Sequence, residues 1–499
     1  MRSKPNVLLI RISSIQFMAR KIPRTMGTQH PDNASKPHWA TDAFIDTQTE
    51  VEEAYRCFSE LDGQEFMWDW EGKHVDESVV EKLFEHYTEF FQNHALGKDI
   101  FLTTRLPNIW EEKGYRLPKA FVNVISANQM AADVNMHAPV LFEAILPMTK
   151  SVDQLLFLHK HFRQVKKAFD AHDELEMIPL VEETTSIQTV DKLLEQYVKT
   201  ETRESIRVFL ARSDPALNAG NVAATLSVKI GLDRLRQFSE STGIATHPII
   251  GVGSLPFRGG LNPDTVDDFF HEYPGIQTVT IQSAFRYDYE SPDVENAIDK
   301  INDMRLENAT PTPGNLPAVV DAFNHHYQGL IEGIAPTINA LAAYVPRRRE
   351  RRLHVGLFGY ARKMQGITLP RAIGFCASMY SLGVPPELLG VGSALKKITG
   401  KQRDALYESY RFFENDLVRA GHYLNHENLH ALGRQNAGWQ TVEEDIHLLE
   451  EQLGKKLGPQ KDEHYIHRNL TSNVRLLLKS QADVSPEIVR AGQLRKSLG

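Results

Sequence analysis

Short apolar runs separated by longer stretches of helical spacing fill the first two-thirds of the chain. Glu65–Glu71, Ile100–Arg105, Phe142–Met148, Leu175–Glu182, Ile206–Arg212, Thr246–Gly253 and Thr278–Ser283 are each six to eight residues long. They read as strands, and most are followed by helical pattern. Successive starts lie about 30–45 residues apart, the size of a strand–helix unit. An eighth run, Leu353–Phe358, follows a longer and mostly helical stretch. Strands alternating with helices predict a parallel sheet, and eight of them predict closure. The fold class expected is therefore α/β, a (β/α)8-type barrel with helical insertions over residues 20–360. Beyond Arg362 the pattern turns helical, in Pro370–Leu382, Gln402–Leu424 and Val442–Leu457. No flexible linker precedes this part, so residues 361–499 are expected to pack on the barrel as a helical part.

Polar residues fall where a barrel would use them. Asp69 and Glu71 close the first run, Arg105 the second, Glu182 and Glu183 the fourth, and Arg212 and Asp214 the fifth. Ser254 and Arg258 follow the sixth and Arg286 the seventh. Active sites of such barrels form at the C-terminal strand ends. Arginines and acids at six of these ends point to a shared site for an anionic ligand and a metal.

Composition narrows the picture. With 41% hydrophobic and 24% charged residues the chain is an ordinary globular protein. A net charge of −8 argues against general nucleic-acid binding, so an anionic substrate needs a local cluster of arginines. Two cysteines cannot build a disulfide framework and suit a reducing cytosol. No apolar run reaches the ~18 residues of a membrane span. Residues 1–19 carry basic side chains and no acids, a pattern shared by transit peptides and by short unstructured extensions. Met18 is a possible internal start.

Five features carry candidate chemistry. Glu182 and Asp214 are hard oxygen ligands on neighbouring strand ends, suited to Mg²⁺ or Mn²⁺. Gly251-Val252-Gly253-Ser254-Leu255-Pro256-Phe257-Arg258-Gly259-Gly260 fits neither a dinucleotide fingerprint nor a P-loop. Its glycines allow close backbone approach, and Arg258 adds a planar fork of donors for carboxylate or phosphate. His30, in Thr28-Gln29-His30-Pro31-Asp32-Asn33, is a candidate general acid or base. Arg371 opens an apolar helix, a favourable place for an anion. Arg347–Arg352 holds five arginines in six positions, and the sequence leaves open which of them face the site.

Thr28–Asn33, together with Met67-Trp68-Asp69-Trp70-Glu71-Gly72-Lys73, resembles archaeal-type phosphoenolpyruvate carboxylase, and the likeness covers about Arg20 to Gly499. The longer bacterial and plant enzymes of this activity have similar motifs. Thr28–Pro31 is similar to the stretch holding their catalytic histidine, which implies that role for His30. Pro179–Glu183 and Arg212–Pro215 resemble their metal-binding motifs and imply Glu182 and Asp214 as ligands. Arg105, Arg258 and Arg371 match family arginines, with Gly259 and Gly260 in the same substrate loop. The resemblance implies phosphoenolpyruvate and bicarbonate as substrates, a divalent cofactor, a cytoplasmic homotetramer (a dimer of dimers), and neither nucleic-acid nor membrane partners.

Two positions depart from the longer enzymes: Val252 and Leu217 stand where those have an arginine and a lysine. Arg212, Lys229 or one of Arg347–Arg352 are the candidates to substitute. The ending Leu494–Gly499 also differs from the tail that helps those enzymes bind an inhibitory amino acid, so the resemblance leaves open whether aspartate inhibits. The alternatives are a metal-dependent barrel lyase or aldolase acting on 2-oxo acids through an enolate, and a non-catalytic sensor of phosphoenolpyruvate.

Overall fold

Eight parallel strands close into a barrel in a computed structural model of the chain. The structure describes residues 21–29, 31–40, 44–45, 47–69, 78–111, 116–346, 350–351, 362–364 and 367–499. The barrel strands are β1 (Thr25–Gly27), β2 (Glu65–Asp69), β3 (Phe101–Arg105), β4 (Glu143–Leu146), β5 (Glu176–Val181), β6 (Ser205–Ala211), β7 (Ala245–Gly251) and β8 (Thr278–Ile281). They pair in chain order, and β1 closes the ring by lying against β8, with Thr25 opposite Val279 and Gly27 opposite Ile281.

Seven of the eight expected runs are therefore barrel strands. The eighth expectation is corrected. Leu353–Phe358 lies outside the described residues, and the eighth place in the ring belongs to Thr25–Gly27. This correction moves Thr28–Asn33 to the C-terminal end of a barrel strand, at the same mouth as Arg105 and Glu182.

The barrel interior is layered by alternate strands. At its N-terminal end Glu65 of β2, Glu143 of β4, Arg207 of β6 and Thr278 of β8 meet. Arg207 Nη2 lies 2.7 Å from Glu65 and Nη1 2.8 Å from Glu143, and Nη2 also donates to Thr278 Oγ1 at 3.2 Å. Above this charged layer Met26, Met67, Ile145, Ile178, Phe209 and Ile249 fill the interior with apolar volume. Strands and surrounding helices share one core running from Val51 to Ile301.

A second core joins the helices that follow the barrel to one side of it. Helix α1 (Asn221–Thr242) follows β6 and contributes Val222, Leu226 and Ile230. Helix α2 (Leu316–Ala342) buries Val319, Phe323, Tyr327, Leu330, Ile334 and Ile338, a stripe at i, i+3, i+4 spacing. Helix α3 (Ala372–Ser381) lies in the expected Pro370–Leu382 stretch. The Gln402–Leu424 stretch of helical spacing holds two helices, Gly400–Ser409 and Phe413–Gly421. The break is fixed by tertiary bonds: Phe412 N donates to Glu272 at 2.8 Å and Tyr410 Oη donates to Asp416 at 2.7 Å. Beyond it lie α4 (His426–Gly433), α5 (Ala437–Leu453) and α6 (Ser485–Leu494). Among the described residues no helix is long and apolar enough to cross a membrane.

Candidate active site at the barrel mouth

The glycine loop after β7 is held by its own backbone. Gly253 N donates to Arg258 O at 2.8 Å, and Gly260 N donates to Gly253 O at 3.1 Å and Leu255 O at 2.9 Å. The N–H groups of Gly259 and Gly260 are thus used inside the loop. Their residue type answers to geometry instead. Gly259 has φ +114°, and an added Cβ would stand 2.4 Å from Val252 Cγ1. A Cβ on Gly253 would stand 2.8 Å from Arg258 Cζ, so this glycine lets the guanidinium fold back over the loop.

Arg258 is 3% exposed and heavily anchored. Its Nε donates to Ser213 Oγ at 3.2 Å, Nη1 to Asp32 Oδ2 at 2.9 Å and to Gly499 O, and Nη2 to Gln282 Oε1. Four of the five guanidinium N–H groups are thereby committed to protein acceptors. The sequence pointed to a two-pronged fork for a ligand. In the structure most of the fork orients the side chain, and one Nη2 N–H has no acceptor among the described residues.

Asp32 is the hub of this corner. Besides Arg258 it accepts from Ser283 Oγ at 2.6 Å and Ala284 N at 2.8 Å, and its carbonyl accepts from Leu498 N at 2.8 Å. His30 lies outside the described residues, but the chain on both sides of it is clamped. Arg286 donates to Thr28 O and pairs with Glu53 at 3.0 Å. Asp288 accepts from Ala34 N at 2.6 Å and from Ser35 N. Burial pushes the Asp288 carboxyl up to about 7, against the two backbone donors, with nearby Asp32 adding to the rise.

The remaining candidates sit at neighbouring strand ends. Arg105 ends β3 and pairs with Asp69, the end of β2, at 3.1 Å. Glu182 follows β5 and is buried, and Asp214 stands in the first turn of Ser213–Ala219, directly after β6. β5 and β6 are adjacent, with Val181 opposite Leu210. Arg371 is the residue before the first turn of α3, as its position after Pro370 predicted, and it is exposed.

The proposed substitutes for the missing arginine and lysine are corrected. Arg212 turns away from the mouth, donating to Phe257 O at 3.1 Å, Asn221 Oδ1 at 2.6 Å and Thr225 Oγ1 at 2.6 Å. It braces the glycine loop from behind. Lys229 is consumed by Glu272. Arg347–Arg349 and Arg352 lie outside the described residues. Val252 and Leu217 are themselves fully buried core residues.

A profile described as phosphoenolpyruvate carboxylase matches residues 22–499. The chain belongs to the phosphoenolpyruvate carboxylase family. It is 39% identical to the phosphoenolpyruvate carboxylase of Leuconostoc mesenteroides, over 96% of this chain and 100% of that one. Those of the archaea Metallosphaera sedula and Methanospirillum hungatei are 39% and 38% identical with the same coverage, which makes the archaeal type the right subdivision. The residues that anchor Arg258 and the glycine loop, Asp32, Gln282, Gly499 and Glu387, are not among the candidates the sequence offers. Asp32 lay in the quoted motif two residues past His30, a usable signal. The others carry no local one.

Glu387 reaches the glycine loop from the helical part. It is fully buried, and its Oε1 accepts from Phe257 N and from Tyr380 Oη, both at 2.9 Å. Burial pushes its carboxyl up to about 7. A folded-state value above the unfolded one means the native state binds the extra proton. The stabilisation is complete below about pH 4.5 and is lost as pH rises through about 7. Glu387→Gln is therefore expected to lose this dependence. In urea melts at pH 5 and pH 8, the parent should weaken relative to the variant by about 2–4 kcal/mol at the higher pH. A pH-independent gap between them would remove the assignment.

Proposed function

We propose that this chain carboxylates phosphoenolpyruvate with bicarbonate, releasing oxaloacetate and phosphate, at the mouth formed by β1, β3, β5, β6 and β7. The observation that carries the reading is the relation to phosphoenolpyruvate carboxylases along residues 22–499. The arginines and carboxylates at the strand ends are consistent with it.

Glu182 and Asp214 would hold the divalent ion. Their donor set fits: two carboxylates on adjacent strand ends suit a hard cation that keeps water and substrate oxygens in its remaining positions. When bound, such an ion offsets negative charge on phosphate and enolate oxygens. Arg105 and Arg371 hold the phosphoryl group, and Asp69 fixes the Arg105 guanidinium in place. A bicarbonate oxygen attacks phosphorus, the bond from phosphorus to the enol oxygen breaks, and carboxyphosphate and the enolate of pyruvate result. Carboxyphosphate then separates into CO₂ and phosphate, with His30 as proton acceptor or charge stabiliser. Arg258 keeps bicarbonate, and then CO₂, over the enolate carbon until the new carbon–carbon bond forms. The glycine loop limits water entry, which would protonate the enolate to pyruvate. We further propose Mg²⁺ or Mn²⁺ as the ion and a cytoplasmic homotetramer as the working form.

Oxaloacetate formation measured with and without bicarbonate tests the reaction. The expected result is formation that requires bicarbonate and releases phosphate. Turnover of 2-oxo acids independent of bicarbonate would favour the lyase or aldolase reading, and binding without turnover the sensor. For the ion, Glu182→Ala and Asp214→Ala should each weaken Mn²⁺ binding, read by calorimetry, and lower turnover together. Unchanged Mn²⁺ affinity in both variants would move the metal elsewhere.

A further inference from the structure

The reaction at the mouth makes no use of a cluster on the helical part. His426 is the first residue of α4, and His447 and Glu450 lie three apart on α5, where that spacing places them on one face. One possible ligand atom from each, a ring nitrogen from either histidine and a carboxylate oxygen, lies within 4.8 Å of the other two. His426 Nε2 is 3.2 Å from Glu450 Oε1. Two ligands bound to one tetrahedral Zn²⁺, each at roughly 2.0–2.1 Å, are themselves about 3.3 Å apart. That edge already has the spacing a metal imposes.

Glu450 also has ordinary work. Its side chain is 2% exposed, Oε1 accepts from Leu457 N at 2.8 Å, and Oε2 pairs with Lys456 at 2.6 Å. His426 Nε2 also lies 3.1 Å from Leu457 O. An Nε2–H of His426 shared between Glu450 and Leu457 O accounts for that edge. The helix spacing puts His447 beside Glu450, and this exposed side chain brings a ring nitrogen into the same small volume as a third donor. Lys456 is 78% exposed, so its ammonium can withdraw into solvent at small cost when another cation arrives.

We propose that His426, His447 and Glu450 form a binding site for a divalent transition ion of the Zn²⁺ class, with water completing its coordination on the exposed side. Two imidazoles and one carboxylate select such an ion over Mg²⁺, which prefers oxygen alone. Glu182 and Asp214 at the mouth offer oxygen alone, so the two sites differ in the metal they take. The bound ion ties the start of α4 to α5 and to the turn at Leu457, and stabilises the helical part by mass action.

The test is titration of the full chain with Zn²⁺ by calorimetry, in excess Mg²⁺ to occupy the oxygen-only site, alongside thermal melts. One Zn²⁺ per chain should bind and raise the melting temperature. His447→Ala, a change at an exposed position, should weaken this binding at least ~10-fold, abolish the thermal shift and leave oxaloacetate formation unchanged. Lys456→Ala should tighten binding, because it removes the competing cation. Equal Zn²⁺ affinity in parent and His447→Ala would overturn the proposal. So would weaker binding in Lys456→Ala, or binding that disappears only in Glu182→Ala.

Discussion

Arg258→Lys is expected to turn the enzyme from making oxaloacetate towards making pyruvate, while total turnover falls on the order of 10²–10³-fold. The structure explains why a conserved charge is not enough. Ser213, Asp32, Gly499 and Gln282 each take a separate N–H of the guanidinium, through three different nitrogens. A lysine has one nitrogen and cannot answer all four from one position. Its ammonium would settle on Asp32 and leave the bicarbonate position poorly defined. Phosphoenolpyruvate would still be held through Arg105 and Arg371, so its cleavage would continue more readily than capture of CO₂. Simultaneous quantification of phosphate, pyruvate and oxaloacetate reads the partition. A variant whose phosphoenolpyruvate requirement alone rises, with product ratio and bicarbonate dependence unchanged, would place Arg258 with the phosphoryl group instead.

The largest loss of stability is expected at the opposite end of the barrel, from Arg207→Met. Arg207 and Glu65 have 2% and 0% side-chain exposure, and Glu143 5%. Burial on its own would lower the Arg207 pKa, but the two carboxylates outweigh it and hold the guanidinium charged. Removing the cation leaves Glu65 and Glu143 facing each other in a closed interior. Breaking a buried pair in this way costs about 3–5 kcal/mol, because a charge remains without compensation. A triple change to apolar residues at 65, 143 and 207 should recover most of that loss. Urea denaturation of the three proteins measures it. A single variant within about 1 kcal/mol of the parent would mean that the layer relaxes or admits water. The folded fraction should keep its product ratio, since the layer lies a strand's length from the mouth.

The barrel was legible because seven of its strands lie in short, mainly apolar or β-branched runs at regular spacing. β1 was not, because Thr25-Met26-Gly27 is too short for any period and sits in a basic, polar stretch. Its place is decided by pairing with Thr278–Ile281, which no local pattern encodes. The same division holds at the mouth. Glu182, Asp214, Arg105 and Arg371 stand at the strand and helix ends where the sequence put them. The partners that fix Arg258 are remote in sequence: Asp32 is 226 residues away and Gly499 241. Arg212 misled for a related reason. An arginine at a strand end points into the site or behind it according to one rotamer, and here Asn221 and Thr225 on α1 draw it behind.

The closure of the ring through β1 also sets an order of assembly on the ribosome. Pro23 and Thr278, which meet by a hydrogen bond at the seam, are 255 residues apart. At about 5–20 residues per second, the first strand waits roughly 10–50 s for its second neighbour. Until then β2 onward form an open sheet whose free edge has no partner, though the waiting strand offers only three residues to a wrong one. Arg258 emerges before the seam closes, yet its Gly499 anchor is made 241 residues after it. A nascent chain thus closes its barrel well before Arg258 gains its Gly499 anchor, so ring closure and the bracing of this corner are separate events in assembly.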